Sequence, residues 1–160
     1  MSKPVEYKNT EEELHRINGP AVEYTDGSKE WYINGKRHRI DGPAIEYENG
    51  RKEWRINGNL HRIDGPAFEG VDGSKEWYIN GQRHRIDGPA IEWEDGSKSW
   101  YVNGQLHRID GPVVEWEDGR KEWRINGQHV TDEVINWLNE NNISYPFDED
   151  GLFQFKMRFL

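Results

Sequence analysis

Residues 38–60 read HRIDGPAIEYENGRKEWRINGNL, and near-copies of this stretch return every 23 residues along most of the chain. The frame does not slip. His15, His38, His61, His84 and His107 share one phase, and Trp31, Trp54, Trp77, Trp100 and Trp123 share another, which marks the five tryptophans as structural repeat residues. A fixed period of this size signals a repeat architecture, in which each unit buries apolar surface mainly against its neighbours.

Two turn dipeptides punctuate each unit. The first is Asp26-Gly27, Asn49-Gly50, Asp72-Gly73, Asp95-Gly96 and Asp118-Gly119; the second is always Asn-Gly, at 34–35, 57–58, 80–81, 103–104 and 126–127. Both read as two-residue hairpin loops of the type that needs positive φ at both central residues. Runs between them, such as Ser28 to Ile33, are too short for helices and rich in aromatic and β-branched residues, so they read as antiparallel strands. A third mark, Asp-Gly-Pro (Asn18-Gly19-Pro20 in the first copy), places a proline at a strand start or bend, where no ladder donor is needed. Fifteen of the 17 glycines sit in these three repeated positions, so turn geometry sets the period.

With two-residue loops at both turns, Glu23 faces Glu30, Val22 faces Trp31, Trp31 faces His38 and Glu30 faces Arg39. One sheet face is then apolar, with Val22, Tyr24, Trp31 and Ile33 and their equivalents. The other is a charged ladder in which Arg39, Arg62, Arg85 and Arg108 relieve facing glutamates, which would otherwise repel. Ser99 replaces the glutamate in the fourth unit, leaving Glu92 to Arg108.

The chain reads as three segments: a polar lead-in at 1–13, five 23-residue β-hairpin repeats at 14–127, and a cap at 128–160. In the cap, Thr131-Asp132-Glu133 before Val134, Ile135 and Leu138 predicts a capped helix over about Thr131 to Glu140. Asn141-Asn142 ends it. Phe153, Phe155, Met157 and Phe159 then alternate with polar residues, a period-two pattern that predicts a strand. The expected fold is all-β: a repeat array of antiparallel β-hairpins forming one elongated twisted sheet, closed by a small helix-plus-strand cap.

Composition excludes several function classes. A formal net charge of −9 disfavours nucleic acid and anionic membranes as partners. With no cysteine there is neither a disulfide framework nor a thiol nucleophile. No signal peptide or spanning apolar run is present, so a cytoplasmic protein is expected, in the host cytoplasm if the source is viral. Hydrophobic residues make up only 33%, so the aromatic side chains must supply much of the burial.

Three features invite a chemical reading. Paired glutamates suggest a glycosidase, yet a catalytic pair would not be repeated in every unit with an arginine beside it. The histidines suggest a metal, but equivalent positions in stacked two-strand units lie roughly 10 Å apart, too far to share one ion. Packing of His38 against Trp31 is expected instead. Phe147 to Gly151 glances at a calcium loop but lacks the ligand spacing, and a polar turn suffices. No cofactor, no metal and no catalytic set is expected, hence no enzyme.

The order aromatic, Asn-Gly, two residues, His, seen in Trp31-Tyr32-Ile33-Asn34-Gly35-Lys36-Arg37-His38 and in Trp77 to His84, resembles MORN repeats, and more closely the MORN repeat variant family of bacterial, phage and giant-virus proteins. It differs in that Arg39-Ile40-Asp41 intervenes before the glycine that usually follows the histidine closely. The resemblance implies a non-enzymatic scaffold or interaction module; some bacterial relatives are labelled antitoxins.

Units differ from one another at two positions, where a contact surface is expected. After the repeated tryptophan stand Tyr32, Arg55, Tyr78, Tyr101 and Arg124, and the first-hairpin aromatic row ends in Trp93 and Trp116, with Gly70 as a notch. Tyrosine, tryptophan and arginine are frequent binding hot spots. The expected function is a protein-binding repeat module, an acidic inhibitor of anti-defence or antitoxin-like type that covers a basic surface on a protein partner. A nucleotide-binding sponge and a self-assembling virion or scaffold protein are the alternatives, and a homodimer is one way to cover the aromatic face.

Overall fold

The computed structural model describes residues 3–160. They form two compact units, Met1–Arg83 and His84–Leu160, each built of the expected hairpins. In the first unit, two-residue strands Val5–Glu6, Val22–Glu23, Lys29–Glu30, Ile45–Glu46, Lys52–Glu53, Phe68–Glu69 and Lys75–Glu76 lie side by side in that order, antiparallel. In the second, Ile91–Glu92, Lys98–Ser99, Val114–Glu115 and Lys121–Glu122 do the same.

The Asn-Gly loops make separate side hairpins, such as Tyr32–Ile33 with Lys36–Arg37 and Arg55–Ile56 with Asn59–Leu60. These also join their neighbours. Arg39 N–H donates to the Arg55 carbonyl at 3.1 Å and Gly58 N–H to the Arg37 carbonyl at 2.8 Å, a pair repeated by Arg62 to Tyr78 and Gly81 to Leu60. Each repeat thus contributes to two ladders of backbone hydrogen bonds.

At the Asn-Gly turns the expected geometry holds: Asn34 and Gly35 have φ of 48° and 70°, and His38 N–H donates to the Trp31 carbonyl at 3.0 Å. The first turns differ. Tyr24 N–H donates to the Ser28 carbonyl and Gly27 N–H to the Tyr24 carbonyl, closing a three-residue loop with positive φ at Gly27 and not at Asp26. Asp26 Oδ1 accepts from Ser28 N–H at 2.8 Å. The added loop residue shifts the register by one, so Val22 faces Glu30 and Glu23 faces Lys29. Because side chains alternate with period two, the predicted Glu23–Glu30 and Val22–Trp31 pairs do not form.

The core of the array is made of alanines and β-branched residues, with Val22 and Ile45 buried in the first unit and Ile91 and Val114 in the second. Ala21, Ala44 and Ala67 in the first unit, and Ala90 and Val113 in the second, are fully buried one step after each proline. Ala44 N–H donates to the Glu53 carbonyl and its own carbonyl accepts from Trp31 N–H, both at 2.8 Å. Val113 shows that the position also accepts a β-branched side chain with the ladder kept, Trp100 N–H donating to its carbonyl at 2.9 Å.

The lead-in is mostly exposed but is paired to the array. Val5–Glu6 adds an edge strand against Val22–Glu23, and Lys8 bridges to Leu14; Met1 and Ser2 lie outside the described residues.

The cap holds two helices, α1 (Thr131–Asn141) and α2 (Glu149–Phe159). The first matches the predicted helix and ends at Asn142 in the left-handed conformation. Its N-cap is Val130, not Thr131, whose hydroxyl instead accepts from Trp123 N–H at 2.9 Å. The second replaces the predicted strand. Asp148 caps it by accepting from Gly151 N–H at 2.7 Å, Glu149 and Asp150 lie in the first turn, and Lys156 and Arg158 in the last. These charges oppose the helix dipole at both ends. Leu152, Phe155 and Phe159 give the helix an inner face, and Phe155 packs with Val134 and Trp123 in the cap core.

Candidate interaction surface

The stretch from each repeated histidine through Gly-Pro to the following glutamate, HRIDGPAIE at 38–46, folds into an arginine clamp. Arg39 donates from Nε to Asp41 Oδ1 at 3.0 Å, and from Nη1 to the Pro43 carbonyl at 3.2 Å and Glu46 Oε1 at 2.9 Å. Its guanidinium lies 4.1 Å from the centre of the Trp31 ring, a cation–π contact. On its other side is Gly42, where an added Cβ would come within 2.8 Å of Arg39 Cζ. The glycine of Asp-Gly-Pro thus lets the guanidinium lie close, and a Cβ there would displace the end of the arginine side chain. Arg62 repeats the clamp on Trp54 and Arg108 on Trp100, at 4.1 and 3.9 Å; in the first copy Arg16 stacks on Tyr7 instead. Glu92 is consequently the partner of Arg85, not of Arg108, which takes Glu115.

A second set of carboxylates is turned inward, and their partners explain the variable position after each tryptophan. Glu30 is buried and accepts from Tyr32 Oη at 2.6 Å and Arg37 Nε at 3.1 Å. Glu53 is buried between Arg51 and Arg55, whose Nε donates to it at 2.7 Å. Glu76 repeats the first arrangement with Tyr78 and Arg83, and Glu122 takes Arg124 Nε at 2.6 Å. The residue following tryptophan is coupled to its hairpin partner: Tyr32 and Tyr78 face Arg37 and Arg83, whereas Arg55 faces Leu60. In the fourth unit Ser99 replaces the carboxylate, and the facing pair is Tyr101 and Leu106, with no guanidinium. Each inward carboxylate is thus matched by cations near it. Burial, with the Glu30 carboxylate next, pushes the Tyr32 hydroxyl up to about 12.

The histidines clip each repeat to the next, and Trp31 and His38 border the same cleft. His38 Nδ1 lies 3.0 Å from Asn57 Oδ1 and 3.3 Å from the Asn57 backbone nitrogen. His15–Asn34, His61–Asn80 and His84–Asn103 repeat the contact at 2.7 to 2.9 Å. Among the described residues no group of three potential ligands is placed to hold a metal ion, and no helix is long and apolar enough to cross a membrane.

Of the predicted contact residues, Tyr32, Arg55, Tyr78 and Arg124 thus have polar groups engaged by inward glutamates, while Tyr101 is half-buried. Trp93 is exposed. Trp116 lies under Arg120, 5.3 Å from its ring centre, and lines a cleft of about 490 Å³ with Trp123, Ile135, Leu138 and Tyr145. The Gly70 notch is filled, since Asp72 and Ser74, hydrogen-bonded at 2.6 Å, occupy the space that a Cβ would enter.

The most exposed apolar residues are constant ones. Ile40, Ile63 and Ile86, the residue between the clamp arginine and its aspartate, are 85 to 86% exposed, and Ile17 and Ile109 are also exposed. After Ile40, Ile63 and Ile86 stand Asp41, Asp64 and Asp87, with side chains 85 to 86% exposed, whereas Ile17 is followed by Asn18. The Arg39 and Arg62 hydrogen bonds hold the carboxyls of Asp41 and Asp64 below the usual carboxylate range, so they stay ionised. Between successive loops run clefts: Ile17 and Ile40 border one of about 530 Å³ with Trp31 at its floor, and Ile40 and Ile63 border one of about 440 Å³ with Trp54. The sequence carried a signal for this row, an isoleucine kept in five copies of an otherwise polar loop, but a comparison confined to variable positions passes over it.

No protein-family model matches this chain, and no curated protein matches it either.

Proposed function

We propose that the chain is a non-enzymatic protein-binding repeat module of the MORN repeat variant kind. On this reading it is an acidic phage- or bacteria-encoded inhibitor, anti-defence or antitoxin-like, acting in the cytoplasm by covering a basic surface of its partner. The observation that carries the reading is the exposed isoleucine followed by an exposed aspartate at the Asp-Gly-Pro loops, on an array whose arginines are mostly occupied by its own carboxylates. Such a surface offers apolar contact and negative charge at a regular pitch, which suits a basic protein and repels polyphosphates.

The test is an affinity pull-down from bacterial lysate at low and at roughly physiological salt, in parallel with an Asp41→Asn/Asp64→Asn/Asp87→Asn variant. A single stoichiometric basic protein, retained less at higher salt and lost with the variant, supports the reading. Equal retention by the variant, or recovery of the chain alone, overturns it for the lysate used.

A further inference from the structure

The residues predicted to form a strand leave a trace in the helix they actually form. A strand of Phe153, Phe155, Met157 and Phe159 would bury all four on one face. The helix buries Phe155, and Phe159 is partly covered, but Phe153, Met157 and Leu160 are left 65, 74 and 60% exposed. At spacings of four and three residues they form one outward apolar stripe. Lys156 and Arg158, near the C-terminal end of that stripe, have no carboxylate partner among the described residues, whereas the clamp arginines are paired. Glu149 and Asp150 lie at the opposite end.

We infer that this stripe docks on the isoleucine row of a second copy of the chain. Two observations select that occupant. The first is charge: the basic end of the stripe meets Asp41 and Asp64, the exposed carboxylates that follow Ile40 and Ile63. The second is pitch. Successive repeats advance by two strands, roughly 9.6 Å, and Phe153 to Leu160 spans seven helical residues, roughly 10.5 Å. Phe153 and Leu160 therefore enter neighbouring clefts, those bounded by Ile17 and Ile40 and by Ile40 and Ile63, while Met157 crosses Ile40. The two faces differ, so the contact is heterologous: each copy offers its stripe to one neighbour and its row to another, and the assembly extends unless it closes on itself. A single helix face buries less than a standard interface, which places the dissociation constant at roughly 10 µM to 1 mM. This self-association does not depend on the foreign partner proposed above.

The test is sedimentation equilibrium of the purified full chain from about 10 µM to about 1 mM, with one variant per face. Ile40→Asp/Ile63→Asp disables the row and Phe153→Gln/Met157→Glu disables the stripe; all four positions are exposed, and circular dichroism confirms that each variant folds. The expected result is that the wild-type mass rises with concentration, each variant alone stays monomeric, and an equimolar mixture of the two forms a dimer that grows no further. Monomeric wild type throughout the range overturns the inference. So does association that survives in the row variant and is lost in the stripe variant, since that means stripe against stripe, and so does a mixture that fails to pair.

Discussion

The inward carboxylates make a sharp energetic test, because the chain contains its own control. Glu53 is buried between Arg51 and Arg55, whereas the fourth unit solves the same site with Ser97, Ser99 and Tyr101. Replacing Glu53 with serine leaves two guanidinium groups facing each other without their anion. Removing one partner of a fully buried pair costs roughly 3 to 5 kcal/mol. Here the arginine side chains are 41 and 23% exposed and can turn toward water, which reduces the loss to about 2 to 3 kcal/mol. For a chain of this size that is a fall in Tm of roughly 5 to 10 °C. The triple variant Arg51→Ser/Glu53→Ser/Arg55→Tyr copies the fourth unit's set opposite Leu60, and should return to within about 1 kcal/mol of wild type. Thermal melts followed by circular dichroism read both. A single variant as stable as wild type, or a triple variant worse than the single, would refute the argument that the residue after tryptophan varies in order to match the carboxylate.

Other outcomes follow from the same contacts. Trp123→Ala removes the ring that Tyr145, Phe147 and Phe155 surround at 5.2 to 5.9 Å, and should lower stability by roughly 3 to 5 kcal/mol in a denaturant titration. Gly42→Ala should cost about 1 to 2 kcal/mol by lifting Arg39 from Trp31 and its backbone acceptor, seen as a lower Tm; an unchanged melt would mean that the clamp tolerates a Cβ. The folded-state value of Tyr32, about 12, stands above the free value of 10.0, so its contribution is whole below pH 10 and is lost as pH climbs toward 12. Tyr32→Phe should make the alkaline fall in stability shallower, and an equally steep fall in that variant would remove Tyr32 as a cause.

Much of the fold was legible in the sequence because turns are local. Asn-Gly at fixed spacing specifies left-handed conformation at two consecutive residues, and the 23-residue period repeats it until the hairpin array follows. The Asp-Gly turns misled for an equally local reason. Aspartate there keeps a negative φ and receives Ser28 N–H, leaving glycine alone in the left-handed region, and one added loop residue changes which residues face one another. The constant asparagine of the second turn against the mainly aspartate first turn is the visible sign of that difference.

The candidate surface was legible only in part. Variation among repeats points to contact residues, and four of the seven it picks out have polar groups engaged by inward carboxylates of this chain. Their variation has an internal cause that needs the register to be seen. The exposure of the isoleucine row belongs to the folded chain, and a repeated isoleucine looks in sequence like a core position.

By itself, then, the sequence determined the repeat, its hairpins, the helix at 131 and the acidic balance, all of which depend on neighbouring residues or on sums over the chain. Tertiary structure decided the rest: which glutamate each arginine meets, which apolar residues stand in water, and that 149–159 is a helix. The same phenylalanines satisfy a period of two and a period near 3.6, and the choice falls to the Asp148 cap, the end charges and the rings of Trp123 and Trp137 waiting on one side.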